Sequence, residues 1–139
     1  MKLYVWIAAL LLPLTFSCTD DEYPVTLELT QVQRLLTNDS SKVWIPVAGF
    51  QDCAMDDEHK FTHSPTKDKL GEYMVHPGTI LCEGNQEIKG TWEIINKNGI
   101  NELRINTSSA EAYQIELITT SKLHLKDNNQ ETRTFMARP

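Results

Sequence analysis

The sequence predicts an all-β domain headed by one short helix, on three observations. After the N-terminal helical stretch the helical period gives way to period 2, clearest from residue 87 onward, the period of a strand with one buried face. The runs are short and divided by turn residues such as Lys97-Asn98-Gly99 and Asp127-Asn128-Asn129-Gln130. Connections this short cannot hold parallel crossovers, which need about a dozen residues, so the strands form an antiparallel meander. Such a meander buries its apolar face by closing into a barrel or folding as a sandwich, and closure also removes exposed edges.

Residues 1–17 read as a leader outside the fold. Lys2 supplies a positive charge, and Leu3 to Phe16 is an uncharged apolar run of 14 residues broken at Pro13. A helix crossing a bilayer needs roughly 20, so the run fits a secretory signal instead. The boundary Thr15-Phe16-Ser17-Cys18 resembles the looser lipobox of Bacteroidetes lipoproteins. That resemblance implies cleavage before Cys18, lipid on its sulfur and a membrane partner through that lipid. One acyl chain holds a protein only marginally, so a stable anchor needs two or more. The following Thr19-Asp20-Asp21-Glu22 resembles the acidic signal that sends such lipoproteins to the cell surface; its plain reading is a solvated linker over residues 18–28. The expected location is the outer membrane, facing the cell exterior or otherwise the periplasm.

The domain proper is expected over residues 29–139. Leu29, Val32, Leu35 and Leu36 stand at helical spacing, with Thr30 as candidate N-cap and an end near Asn38-Asp39-Ser40. Lys42 to Phe50 is a strand apolar on both faces, as expected of one covered on both sides, and Pro46 puts it at an edge, a bulge or a corner. His59 to His63 and Leu70 to His76 follow. Glu87 to Asn96 directs Ile88, Gly90, Trp92 and Ile94 to one face, and Asn101 to Thr107 sends Leu103 and Ile105 inward. Ala112 to Ile118 turns Tyr113, Ile115 and Leu117 inward; Lys122 to Lys126 does so with Leu123 and Leu125, and Thr132 to Arg138 with Phe135 and Ala137.

Composition narrows the function classes. Removing residues 1–17 leaves 122 of 139, enough for one domain with a core. Lys2 is the leader's only charged residue, so the formal charge of −6 becomes −7. That excludes a basic patch for nucleic acid as the leading reading. Of three cysteines, lipid on Cys18 leaves Cys53 and Cys82, which pair as a disulfide in an oxidising compartment. The loop they close, about 30 residues, corresponds to roughly 3–4 kcal/mol in the chain-entropy model.

The order Lys42-Val43-Trp44, Cys53 with an acidic loop, a hairpin, Cys82, and Gly90-Thr91-Trp92-Glu93-Ile94 resembles the lipocalin-like domains of Bacteroidetes lipoproteins, over about residues 30–138. The resemblance implies a small up-and-down barrel with its first half pinned by the disulfide; the residues themselves give eight strands and a short helix to cap one open end. Lys42 stands where lipocalins carry a glycine two places before the first tryptophan. Eight strands leave an interior just wide enough for side chains or one small ligand. Inward Trp92, Tyr113 and Phe135 with several Leu and Ile predict a largely filled barrel.

Each candidate site has a plainer reading. Cys53, His59, His63 and Cys82 contain the ligand types of a zinc site, but their spacing matches no common pattern and export favours the disulfide. The plain reading puts His59, His63 and His76 on a solvated strand face, where they would otherwise form a cysteine-free metal site. Asp52, Asp56, Asp57 and Glu58 offer calcium ligands, yet they lack the glycine and the alternating order of a calcium loop, so a solvated loop is preferred. Trp44, Trp92, Tyr113 and Phe135 are the candidate ligand pocket, against a reading as plain core.

No G-x-S-x-G, HExxH or glycine-rich phosphate loop occurs, so no catalysis, cofactor or metal is expected. The expected function is a membrane-anchored binding or accessory lipoprotein that recognises a small apolar ligand or an envelope protein. The alternatives are a structural subunit of an envelope secretion, motility or uptake assembly, or an inhibitor of proteases or lysozymes.

Overall fold

A computed structural model describes residues 27–64, 70–80, 82–84 and 86–139. The leader, Cys18 and the acidic stretch 19–22 lie outside them. Helix α1 (Leu29–Thr37) precedes β1 (Ser41–Ala48), β2 (Glu58–Thr62), β3 (Gly71–His76), β4 (Ile88–Lys97), β5 (Ile100–Asn106), β6 (Ala110–Ile118), β7 (Lys122–Lys126) and β8 (Thr132–Ala137). Each strand pairs antiparallel with the next, and β8 returns to β1 with Trp44 opposite Ala137, so the meander closes as an eight-stranded barrel. Among the described residues no helix is long and apolar enough to cross a membrane.

Alternation accounts for the core. Phe61, Tyr73, Trp92, Ile94, Leu103, Ile105, Tyr113, Leu123, Leu125 and Phe135 converge inside the barrel, and all but Phe61 and Tyr73 belong to the predicted inward sets. The β4–β5 turn, Asn98-Gly99, has positive φ at both residues, the geometry a two-residue hairpin requires. Gly71 admits Trp92: a Cβ there would lie 2.2 Å from the indole, whose Nε1 donates to the Thr62 carbonyl at 3.0 Å. Pro46 sits where the β1–β8 register slips, between Pro46 and Ala48, a place that tolerates a residue without an N–H.

Three expectations need correction. Leu117 does not point inward: β6 bulges between Ile115 and Leu117, shifting the phase so that Leu117 pairs with outward His124 and Ile118 takes the core position. Thr30 is not the N-cap. The helix begins two residues earlier, with Glu28 extended at φ −60°, ψ 148° and its carbonyl accepting from Gln31 and Val32. The outer face of β1 is also uncovered, with Val47 43 % exposed.

The helix plugs one end. Val32 and Leu36 are buried against the barrel floor, and Trp44 Nε1 donates to the Leu36 carbonyl at 3.0 Å. Lys42 closes this base. Its Nζ donates to the carbonyls of Leu35 (3.0 Å) and Thr120 (2.7 Å) and lies 4.3 Å from the Trp44 ring centre. Burial lowers its pKa. Asn38 ends the helix in the left-handed region, and Asn101 of β5 holds the entering chain through the Leu27 carbonyl at 3.0 Å.

Candidate functional site

The end opposite the helix is an open mouth. The β1–β2, β3–β4, β5–β6 and β7–β8 connections all meet there, because each of those strand pairs turns at the same end of the barrel. Inward positions on the first or last turns of the strands supply its side chains: His59 on β2, Tyr73 on β3, Glu111 and Tyr113 on β6, and Arg133 and Phe135 on β8. Phe50, from the β1–β2 loop, lies across them.

These groups form two linked clusters. His59 Nδ1 and the Tyr73 hydroxyl share a hydrogen bond of 2.7 Å. Tyr113 donates to Glu111, and Arg133 donates to the Tyr113 hydroxyl at 2.8 Å. The Arg133 guanidinium carbon lies 5.2 Å from the Phe50 ring centre and 5.1 Å from that of Tyr113, within cation–π range. Phe50 meets Phe135 edge-on at 5.1 Å and His59 at 5.6 Å.

Burial sets the protonation states. It drives the His59 pKa down to about 4, with the Arg133 charge acting the same way, so the imidazole is neutral near pH 7. Burial likewise raises Tyr73, helped by neighbouring Tyr113, Glu111 and Asp57, and raises Tyr113, helped by its bond to Glu111. The mouth is thus a set of neutral donors and acceptors with one cation and one adjacent carboxylate. The space among these groups is about 30 Å³, room for one or two waters. Small-molecule pockets are roughly tenfold larger. A larger concavity, about 810 Å³, is an open groove on the outer surface beside Arg34, Lys42 and Met136.

Two tethers hold the loops of the mouth. Cys53, in a short 3-10 turn, is bonded to Cys82, with their Cα atoms 5.1 Å apart, so the predicted disulfide is present. The acidic loop beside it grips the β3–β4 loop. Asp56 Oδ2 accepts from the Thr79 N–H (2.7 Å), the Thr79 hydroxyl (2.7 Å) and the Ile80 N–H (3.1 Å), while Asp57 Oδ1 accepts from the Gly78 N–H at 2.8 Å. The hydroxyl bond chiefly lowers the Asp56 pKa. These two carboxylates are structural clasps.

The predicted pocket residues separate. Tyr113 and Phe135 line the mouth; Trp44 lies under the helix at the base and Trp92 on Gly71 near the same end, both in the sealed core. The three histidines also separate, against the expectation of one solvated face. His59 turns inward in phase with Phe61, His63 is exposed at the far end of β2, and His76 faces outward in an ion pair with Glu87 at 3.0 Å. The disulfide occupies both cysteines of the zinc alternative, and among the described residues no three His, Cys, Asp or Glu gather as a metal site. Arg133, Phe50 and Glu111 were not singled out from sequence. The parity that puts Phe135 inside does the same for Arg133, a signal its charge obscured. No protein-family model, curated protein or solved structure matches this chain.

Proposed function

We propose that this protein is a membrane-anchored, non-enzymatic recognition lipoprotein, built on a lipocalin-like barrel, that engages a protein partner at the barrel mouth. The observation that carries this is a filled interior beneath a polar, aromatic mouth. An apolar ligand of ordinary size needs about 300 Å³ or more, against about 30 Å³ in the mouth. A protein surface needs no cavity. It needs fixed polar groups and an aromatic anchor, which the mouth offers in Arg133, Tyr113, Tyr73 and Phe50.

The anchor reading comes from Cys18 and its leader. The chain enters at the base, where Asn101 holds Leu27, so a lipid on Cys18 would tether the helix end and leave the mouth directed away from the bilayer. The lipocalin-like reading is supported by the closed eight-stranded barrel, by Trp44 early in β1 and by the disulfide across the first three strands.

Two measurements test these parts. Intact mass of the mature protein is expected to show a chain beginning at Cys18 with two or three acyl chains; an unmodified Cys18 contradicts the anchor. A fluorescent long-chain fatty acid is expected to gain no signal on titration with the domain. Stoichiometric uptake at micromolar concentration contradicts the partner reading and restores the apolar-ligand one.

A further inference from the structure

Of the aromatic and polar side chains that meet in the mouth among the described residues, Phe50 alone is carried on a loop. His59, Tyr73, Tyr113, Arg133 and Phe135 are fixed by ladder pairing on β2, β3, β6 and β8. Phe50 follows Gly49, where a φ of +82° and the 2.4 Å that would separate an added Cβ from the Thr132 carbonyl oxygen require glycine, and precedes the turn locked by Cys53. Its ring is only partly buried. It rests beneath the Arg133 guanidinium, edge-on to Phe135 and beside His59. With the ring in place about 30 Å³ is left below it; without the ring, the seat is a slot for one aromatic ring, walled by fixed side chains.

We propose that the Phe50 seat is a binding site for an aromatic side chain of the partner, with Phe50 as its resident occupant, displaced on binding. This rests on the reading of the mouth as the recognition surface and names the chemistry recognised there. The surrounding loops fix what flanks that side chain. Asp52, Glu83 and Glu131 are exposed on them, Asp127 is half exposed and Glu111 is exposed near the start of β6, whereas Arg133 is already engaged with the Phe50 ring and with the ring and hydroxyl of Tyr113. A partner whose aromatic residue has lysine or arginine neighbours complements this rim, and one with acidic neighbours is repelled. Displacement makes Phe50 an intramolecular competitor. If the open state is populated at about 0.1–10 %, apparent affinity is reduced by about ten- to a thousandfold, and removing the ring lifts that penalty.

The test is titration of the mature, disulfide-bonded chain with blocked tripeptides, followed by NMR of its amide and aromatic resonances. Lys-Phe-Lys is expected to shift Phe50, Tyr113, Arg133 and Phe135, with Lys-Ala-Lys and Glu-Phe-Glu at least about tenfold weaker. Phe50→Ala is expected to tighten Lys-Phe-Lys binding about tenfold or more, and Phe50→Leu, which keeps more of the packing, to tighten it less. Free phenol is a second probe. Binding of both phenol and the peptide to one set of mouth resonances supports a side-chain seat, and binding of phenol alone overturns the partner source. Equal affinity for Lys-Ala-Lys, or weaker binding by both Phe50 variants, overturns the seat itself. Those failures leave the recognition reading open to its own test, because a partner can bind the mouth without filling this slot.

Discussion

His59 shows how a single residue couples the mouth to pH. Its pKa falls from an ordinary 6.5 to about 4 because the protonated ring would be buried beside Arg133. Between these values the unfolded chain binds the extra proton, so stability rises with pH across that interval and is lost as pH falls from about 6.5 to about 4. The full effect is on the order of 3 kcal/mol. Urea titrations at pH 7 and pH 4.5 are expected to give a stability drop in the natural chain that His59→Gln reduces by more than half. An equal drop in both would place the sensitive group elsewhere. The inward position of His59 was legible in principle, since Phe61 two places on is apolar and strand parity is strict. Residue type pointed the other way, because Tyr73, whose hydroxyl bonds the buried imidazole in place of water, lies on another strand. Arg133 was hidden for the same reason, its partners being Tyr113 and a loop phenylalanine.

At the scale of elements, alternation and turn chemistry were enough to locate all the strands to within two or three residues, since each was bounded by turn residues. What they could not locate was a bulge. One extra residue at Glu116 reverses the phase of β6 and exchanges Leu117 for Ile118 in the core, and both are apolar. Leu117→Ser is therefore expected to cost less than about 1 kcal/mol, whereas Ile118→Ala costs about 2 kcal/mol or more, read from chemical denaturation. The disulfide and the aspartate clasp join the same two loops. Replacing both cysteines by serine is expected to lower stability by about 3.5 kcal/mol, the loop-closure value for residues 29 apart. If the Asp56 clasp holds the loops on its own, the mouth resonances of that variant stay unchanged; if they broaden, the disulfide is what orders the mouth. The clasp was invisible in sequence because an acidic loop looks solvated until the backbone N–H groups it accepts from are in place.

For the whole molecule, closure separates two ends with different tasks. The base is sealed by α1, Trp44 and Lys42 and receives the entering chain; the mouth carries the polar cluster and the acidic loops. A net charge of −6 says nothing about this separation, which depends on which strand ends face the same way. Helix docking at the base is expected to matter for stability and not for recognition. Lys42→Ala, which strips the Leu35 and Thr120 carbonyls of a charged donor, should lower the melting temperature by several degrees and leave peptide binding at the mouth unchanged. The most direct test of the central claim is photo-crosslinking in the cells that make the protein. A crosslinking residue is placed at Gln51 or Asn129 on the mouth loops, or at Asn98 or Thr120 on the base turns. Protein adducts from positions 51 and 129 but not from 98 and 120 are the predicted result. Adducts from the base positions, with none from the mouth, would contradict it.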